Sequence, residues 1–507
     1  RHGRYLAAIA DYDEVIACQP DHAEAHNNRG VALSALNRDD EALASFKRAA
    51  ELKPDRMDLL TNCGMALGKL GRHGEALDVL DRVVTLAPNY ADGHHLRGIT
   101  LAQLGNRIDA LESFNRSVTL APNFVDAQRS RGLTLGKLDR FEEALVSYDQ
   151  AVAHAPNFAL AHHERGIVLS SLGRCGEALE SYNRAIALDP RAPAPQYDKG
   201  MVLLQLGDYE HGLELYEWRW RPGAVPRAVR RLTQPQWRGE IITDKTLLLH
   251  AEQGLGDSIQ MLRYLPLVKT KATHIILELP KALHAVLGTI AEGITVVEAD
   301  QPLPPFDLQC ALMSLPFACG TRLNTIPTQV PYLAAPHERL PKWNARLPCT
   351  ALPRIALVWS SGTANPYGHY RTIALERFAP LLNISGLTFV SLQVEYREQD
   401  LPTLARLPIE RLDSDIRDFG DTAAAIAQCD LVISVDTAVA HLAGALGKSV
   451  WVLLPHVADW RWLLDRTDSP WYPTARLFRQ GSSGDDWDGV IASIGSELAA
   501  LSSRWAA

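Results

Sequence analysis

Over roughly the first 220 positions apolar residues recur at helical spacing, and the whole pattern repeats every 34 residues. Glycine stands at Gly30, Gly64, Gly98, Gly132, Gly166 and Gly200, and proline at Pro20, Pro54, Pro88, Pro122, Pro156 and Pro190. Between them an Ala-Leu pair returns at Ala42-Leu43, Ala76-Leu77, Ala110-Leu111, Ala144-Leu145 and Ala178-Leu179. A 34-residue period with this spacing predicts helix–turn–helix units stacked into a solenoid. Each glycine inside a helix costs about 1 kcal/mol against alanine. That cost is tolerated where another helix must approach closely. The small residues Ala42, Ala76, Ala110, Ala144, Ala178 and Gly212 are expected as the facing contacts. Phe46, Leu80, Phe114, Tyr148, Tyr182 and Tyr216 are expected to fill the space between units. Proline ends each second helix, because an interior proline breaks the hydrogen-bond ladder.

The small, aromatic and proline positions over residues 1–221 resemble the tetratricopeptide repeat, an α-solenoid of helix–turn–helix units. The beat fails at Ala224, where proline was due, and Trp218 to Gly239 is rich in Arg, Pro and Trp. A capped helix end followed by a packed linker, 222–243, is expected there. Short apolar runs then alternate with helical stretches. The strand-like runs are 246–250, 274–279, 294–298, 354–359, 387–393, 430–435 and 449–454. Helical patterns cover 257–269, 281–292, 374–383, 420–428, 437–446 and 488–503. Alternation of this kind predicts α/β architecture with parallel sheets. A Pro-rich stretch splits it into lobes at 244–335 and 354–507, with 336–353 as linker, and a ligand would sit at the carboxyl ends of the strands.

The net charge of -8 carries no nucleic-acid signature. Seven scattered cysteines without a C-x-x-C pair argue against a disulfide framework and a zinc site. The longest apolar stretch, 431–455, is interrupted by Asp436, His441 and Lys448, which argues against a membrane span. The chain starts at Arg1 within a second helix, so an upstream segment with its targeting information is expected. The default location is cytoplasmic.

Two motifs carry candidate chemistry. The first strand runs into Glu252-Gln253-Gly254-Leu255-Gly256-Asp257 and then a helix. Asp257 is either an N-cap, worth about 1 kcal/mol, or a functional carboxylate. Ile259 in place of the third glycine weakens a dinucleotide reading. In the second lobe a buried strand ends in Asp436-Thr437-Ala438, followed by a small-residue helix with His441. These residues are either a cap with a packed histidine, or an anion site at a helix N-terminus. Gly444-Ala-Leu-Gly447-Lys448-Ser449 is not a phosphate loop, because it ends a helix and Leu442 replaces the glycine required. The segment 455–480, with Trp460, Arg461, Trp462, Trp471 and Tyr472, is read as a helix packed on the linker's tryptophans, or as a pocket wall.

Together the GLGD turn, Trp359-Ser-Ser-Gly362 and the DLVISVDTAVAHLAGALG stretch resemble a heptosyltransferase-type (family 9) glycosyltransferase over about 245–480. Bacterial proteins that join tetratricopeptide repeats to such a module are similar along the whole chain, and protein O-GlcNAc transferases are similar in architecture. The resemblance implies two Rossmann-like lobes of a GT-B type fold and inversion at the anomeric carbon. The donor would be a nucleotide-diphosphate sugar held between the lobes, with no metal and no cofactor. It makes Asp257 the general base, with Gln253, Gly254 and Gly256 in its loop. Asp436, Thr437, Ala438 and His441 become the donor-diphosphate loop, Arg371 stands where the family has lysine, and Glu395 holds the ribose. The chain departs from the family in its short first lobe and in Ser360 to Asn365, a general match.

The inward face of the first helices carries Asn27, Thr61, His95, Arg129, His163 and Tyr197, with Lys69, Gln103, Lys137 and Gln205 at a second position. A groove of this length implies a protein or peptide partner. Two functions follow. One is an inverting, metal-independent glycosyltransferase whose repeats recruit a protein or glycan acceptor. The other is a non-catalytic interaction scaffold with a degenerate transferase-like module.

Overall fold

The computed structural model describes residues 2–225, 232–349, 351–362, 368–481 and 487–506, with side-chain burial described as far as residue 503. Pro226 of the linker and residues 363–365 of the stretch after Trp359 lie outside the described residues. The chain forms two compact units, Arg1–Arg191 and Ala192–Ala507.

The first unit is helical throughout: α1 His2–Cys18, α2 Ala23–Ala35, α3 Asp39–Leu52, α4 Met57–Lys69, α5 His73–Leu86, α6 Ala91–Gln103, α7 Arg107–Leu120, α8 Val125–Gly136, α9 Phe141–His154, α10 Ala159–Ser171 and α11 Cys175–Leu188. Inside each hairpin the connecting turn places one residue in left-handed backbone. These are Asn37, Gly71, Gly105, Asp139 and Gly173, with φ of 59°, 72°, 86°, 59° and 73°. Only Gly, Asn and Asp adopt that region routinely, so turn chemistry repeats with the 34-residue beat. Each second helix opens with acidic residues in its first turn, where the helix dipole favours them. A cross-hairpin clamp also repeats. Arg29, Arg97, Arg131 and Arg165 donate to Ser45, Ser113, Ser147 and Ser181, each sixteen residues on, at 2.6–2.7 Å.

Four of the glycines face rings, and Gly64 faces Leu80, rather than the small residues expected. A Cβ on Gly30 would stand 2.6 Å from Phe46, on Gly98 2.5 Å from Phe114, on Gly132 2.8 Å from Tyr148, and on Gly166 2.5 Å from Tyr182. Each of these rings covers the glycine of its own hairpin, and Phe46 also shares a core with Cys63, Ala66 and Leu67 of the next unit. Ala42, Ala76, Ala110, Ala144 and Ala178 are fully buried elsewhere in the core. Gly200 meets a close helix backbone, but that of Leu215 and Tyr216 at 3.0 Å and not the expected Gly212.

The second unit opens with one more hairpin, α12 Pro193–Gln205 and α13 Tyr209–Tyr216. Strands β1 Ile242–His250, β2 Ala272–Leu279, β3 Thr295–Glu298 and β4 Leu308–Ala311 form a parallel sheet in the order β3-β2-β1-β4. A second parallel sheet contains β5 Arg354–Val358, β6 Thr388–Ser391, β7 Glu410–Arg411, β8 Leu431–Val435, β9 Val450–Leu454 and β10 Ala475–Arg479, in the order β10-β9-β8-β5-β6-β7. The strands β4, β7 and β10 were not expected. The stretch 281–292 consists of the 3-10 turns Lys281–Val286 and Gly288–Ala291 rather than an α-helix, and 374–383 is divided between a 3-10 turn, Leu375–Phe378, and a short α-helix, Ala379–Leu382. The segment 455–480 holds a 3-10 turn at Trp460–Trp462 and then β10, not a helix on the linker's tryptophans. Its indoles pack on the hairpin instead: Trp460 lies 5.7 Å from Tyr209 and 6.5 Å from Tyr216 by ring centroid, and the Trp471 indole donates to Tyr209. One core thus joins Leu204, Tyr209, Leu213 and Tyr216 to both sheets.

Candidate functional site

The loop after β1 leads into α14, Leu255–Met261, with Asp257 in the first turn. Its Oδ2 accepts from the Gly254 N–H at 2.8 Å, a capping contact made from the third helical position rather than from the N-cap. Its Oδ1 is ion-paired with Arg461. Strand β8 leads through Asp436 and Thr437 into helix Ala438–Ala445. A Cβ on Gly256 would lie 2.9 Å from His441 Cδ2 and 3.3 Å from Ala438 Cα. The two helix starts therefore meet because residue 256 has no side chain. This contact brings Asp257 beside the Asp436–His441 corner at the carboxyl ends of β1 and β8.

Arg461 organises the meeting point. Its guanidinium is almost wholly buried and reaches Asp257, Asp459 Oδ1 at 2.7 Å and Gln260 Oε1 at 2.6 Å. Burial pushes the Asp459 carboxyl up, but Arg461 and Arg371 more than reverse this, so it titrates below the ordinary range. Asp436 is fully enclosed. Burial raises its pKa and Asp459 adds to the rise, while Arg371, 3.1 Å away, opposes it. Burial first, then the Arg461 charge, depresses His441 to about 3, so its imidazole is neutral. That ring stacks on Trp462 at 5.3 Å, and its Nδ1 pairs with the Tyr472 hydroxyl at 3.0 Å. Its Nε2 is 3.8 Å from Asp436 Oδ1. Thr437 occupies the N-cap position without capping; its hydroxyl meets Ser434 Oγ at 3.0 Å. Glu395 is exposed beyond β6, its carbonyl accepting from Gln393. Lys448 donates to the carbonyls of Ala427 and Cys429 beyond the end of helix Ala438–Ala445.

The hairpin α12–α13 holds the same loop from behind. Gln253 donates to the Tyr216 hydroxyl at 2.5 Å, and the buried Arg219 pairs with Glu252 at 2.8 Å. The sequence marks Arg461 only as part of a packed segment or pocket wall and does not mark Asp459, Gln260 and Arg219, because the contacts of Arg461 to Asp257 and Gln260 and of Arg219 to Glu252 span long stretches of chain. The dense Asp-Trp-Arg-Trp run at 459–462 was the available signal.

In the first unit Asn27, Arg129 and His163 are half-buried, Thr61 and His95 are buried rather than open to a groove, and hydrogen bonds link one first helix to the next. Asn62 donates to Asn27 at 2.8 Å, His95 meets Ser130 at 3.1 Å, and Arg129 pairs with Glu164 through two contacts of 2.8 Å. His163 lies 6.0 Å from the Tyr182 ring. Tyr197 belongs to the second unit and lies 5.6 Å from Tyr216. Gln205 does not line the groove: it is buried and donates to the Ala458 carbonyl at 2.8 Å.

Residues 1–56 match a tetratricopeptide repeat family and 169–207 a TPR repeat family, while 47–123 match the bacterial transcriptional activator domain. All three matches fall on the helical hairpins. Protein FlbA of Caulobacter vibrioides is 25% identical over 309 residues, covering 56% of this chain and 51% of that protein. The chain thus spans about half the length of this curated relative. YrrB, described as a TPR protein with an unusual peptide-binding site, is 23% identical over 36% of this chain and 93% of its own, with a TM-score of 0.31. A thermophilic TPR protein of Thermus thermophilus is 25% identical over 36% of this chain and 99% of its own, also with a TM-score of 0.31. Among the described residues no helix is long and apolar enough to cross a membrane. The N-terminal part of the chain is a solenoid of tetratricopeptide repeats, followed by a region of parallel sheets.

Proposed function

We propose that this chain is an interaction protein whose tetratricopeptide array takes up a polypeptide along its first helices. Tetratricopeptide proteins bind peptide or protein partners. The observation that carries the reading here is the face running through Asn27–Asn62, His95–Ser130 and Arg129–Glu164. Selection of a displayed peptide library on the full chain tests it. Enriched peptides should lose most of their affinity for an Arg129→Asp variant and keep it for Ile108→Lys, a change on the exposed side of α7. Equal binding to both variants would refute a groove site.

One observation favours a second reading, an inverting GT-B glycosyltransferase: Asp257 stands beside the corner formed by Asp436, Ala438 and His441, with Arg371 on Asp436. In that reading Asp257 takes the proton of an acceptor hydroxyl, an effect of about 10²–10⁴-fold. Arg371 and the N–H groups opening helix Ala438–Ala445 meet the leaving nucleotide diphosphate, where a single donor is worth about 3–4 kcal/mol. Arg461 must first release Asp257, since the ion pair occupies the carboxylate oxygen Oδ1. Thermal shift across a panel of nucleotide sugars tests this. At a hundred times its dissociation constant, a true donor stabilises by about 2.7 kcal/mol. Asp257→Asn should then retain donor binding and lose transfer. If no nucleotide sugar shifts the melting point, this second reading is refuted and the scaffold reading is untouched.

A further inference from the structure

The groove face of the first unit carries a second row of residues, and it is apolar. Val31, Met65, Ile99, Leu133 and Ile167 occupy the same place in α2, α4, α6, α8 and α10, 34 residues apart, and are 48%, 47%, 36%, 38% and 41% exposed. Each lies one turn beyond the polar groove position of its helix, so both rows share a face. One exposed aliphatic side chain is ordinary. Five in register, on helices tied together by Asn27–Asn62, His95–Ser130 and Arg129–Glu164, form a continuous strip of the kind that marks a binding surface.

A third row sets the charge. Glu24, Asp58, Asp92 and Asp126 precede the first four aliphatics by seven residues, again on the same face. Glu24 and Asp58 share Arg56. Asp92 and Asp126 are exposed and make no ion pair among the described residues. On the opposite border Lys69 is committed to Ser34 and Asp39, which leaves Lys137 as the cation available there among the described residues. The edge beside the central aliphatics is therefore anionic and complements a cation.

The spacing selects the conformation of the guest. Packed helices stand about 8–10 Å apart, so anchors on a partner must recur at about that interval. A β-strand presents same-face residues about every 6.7 Å, which drifts out of register. An α-helix repeats after seven residues, about 10.5 Å, and a polyproline II helix after three, about 9.3 Å. The polyproline form leaves its backbone groups to be satisfied by the groove, yet Asn62, His95 and Arg129 are already committed to Asn27, Ser130 and Glu164. An α-helix satisfies its own backbone.

We propose that this face receives an amphipathic α-helix of a partner polypeptide. Apolar side chains at heptad spacing sit on the Val31–Ile167 ladder, and Lys or Arg lies along the edge formed by Asp92 and Asp126. The assignment rests on the polypeptide-recruitment reading above and specifies its partner. Fluorescence anisotropy with the full chain tests it, using three labelled peptides: a four-heptad Leu/Lys amphipathic helix, the same helix with Glu for Lys, and a Pro-rich peptide with Leu at every third position and matched Lys content. The basic helix should bind tightest. Ile99→Asp with Leu133→Asp should weaken it by about tenfold or more, and Met65→Asp should weaken it in the same direction. Asp92→Asn with Asp126→Asn should weaken it and flatten its salt dependence. All these side chains are exposed, so circular dichroism and melting should not change. Preference for the acidic helix would overturn the placement of Lys or Arg along the acidic edge, and preference for the Pro-rich peptide or undiminished binding by the ladder variants would overturn the helix on this ladder; each leaves recruitment standing. Failure of all three peptides to bind would overturn the amphipathic-helix proposal, while recruitment stands or falls with the library selection.

Discussion

Arg461→Ala should destabilise the second unit by about 3–5 kcal/mol, the cost of stripping a buried charge network of one partner. The guanidinium serves Asp257, Asp459 and Gln260 together and lies 4.8 Å over the Trp460 ring. Its loss leaves Asp459 and the enclosed Asp436 with Arg371 as the nearby cation. Lysine should not rescue it, because one ammonium cannot reproduce three directional contacts. Arg461→Ala with Asp459→Ala should recover part of the loss, since the double change removes the uncompensated carboxylate. The pH dependence is a second readout. His441, held at about 3 in the native state, titrates near 6.5 when unfolded. Between those values the unfolded chain binds a proton that the native one does not, so stability is lost as the pH drops through this window. Asp459, depressed when folded, adds to the loss below its unfolded value. Without Arg461 both depressions shrink. The urea midpoints of the two proteins should therefore differ most near neutrality and converge toward pH of about 3. An unchanged midpoint for Arg461→Ala at neutral pH would remove it from the centre of this network.

Gly98→Ala should destabilise the first unit by about 1–3 kcal/mol, although helix propensity alone predicts a gain of about 1 kcal/mol. The new Cβ would stand 2.5 Å from a Phe114 ring that is 1% exposed and has little room to withdraw. Gly68→Ala, also inside a helix but with nothing within 4 Å of the new Cβ, should show the gain instead. Opposite signs for these two substitutions in urea unfolding identify ring packing as what keeps glycine at the repeated position. A stabilised Gly98→Ala would discard that explanation.

The helical array is legible in the sequence because its constraints are local and repeated. A left-handed turn residue, a proline beyond each second helix and a glycine under a ring each return every 34 residues. Seven strand-like runs in the α/β part correspond to β1, β2, β3, β5, β6, β8 and β9, which are apolar enough to stand out. The strand β4 spans four residues and β7 two, too short for a periodic signal, and β10 is masked by flanking charge and aromatics. The meeting of Asp257 with His441 is anticipated by two motifs, but the Arg461 network is not, because its partners lie about 200 residues apart. The aliphatic ladder was overlooked for a different reason. One exposed Val, Met or Ile per unit resembles ordinary core periodicity until burial separates the two.

The hairpin α12–α13 keeps the 34-residue beat, yet its Leu204, Tyr209, Leu213 and Tyr216 are buried in the same core as both sheets. Selection can therefore lengthen or shorten the array by whole units upstream of Pro193 without disturbing that core. The last pair has no such freedom, and it should drift with the sheets as their subunit-like companion while the other repeats diverge.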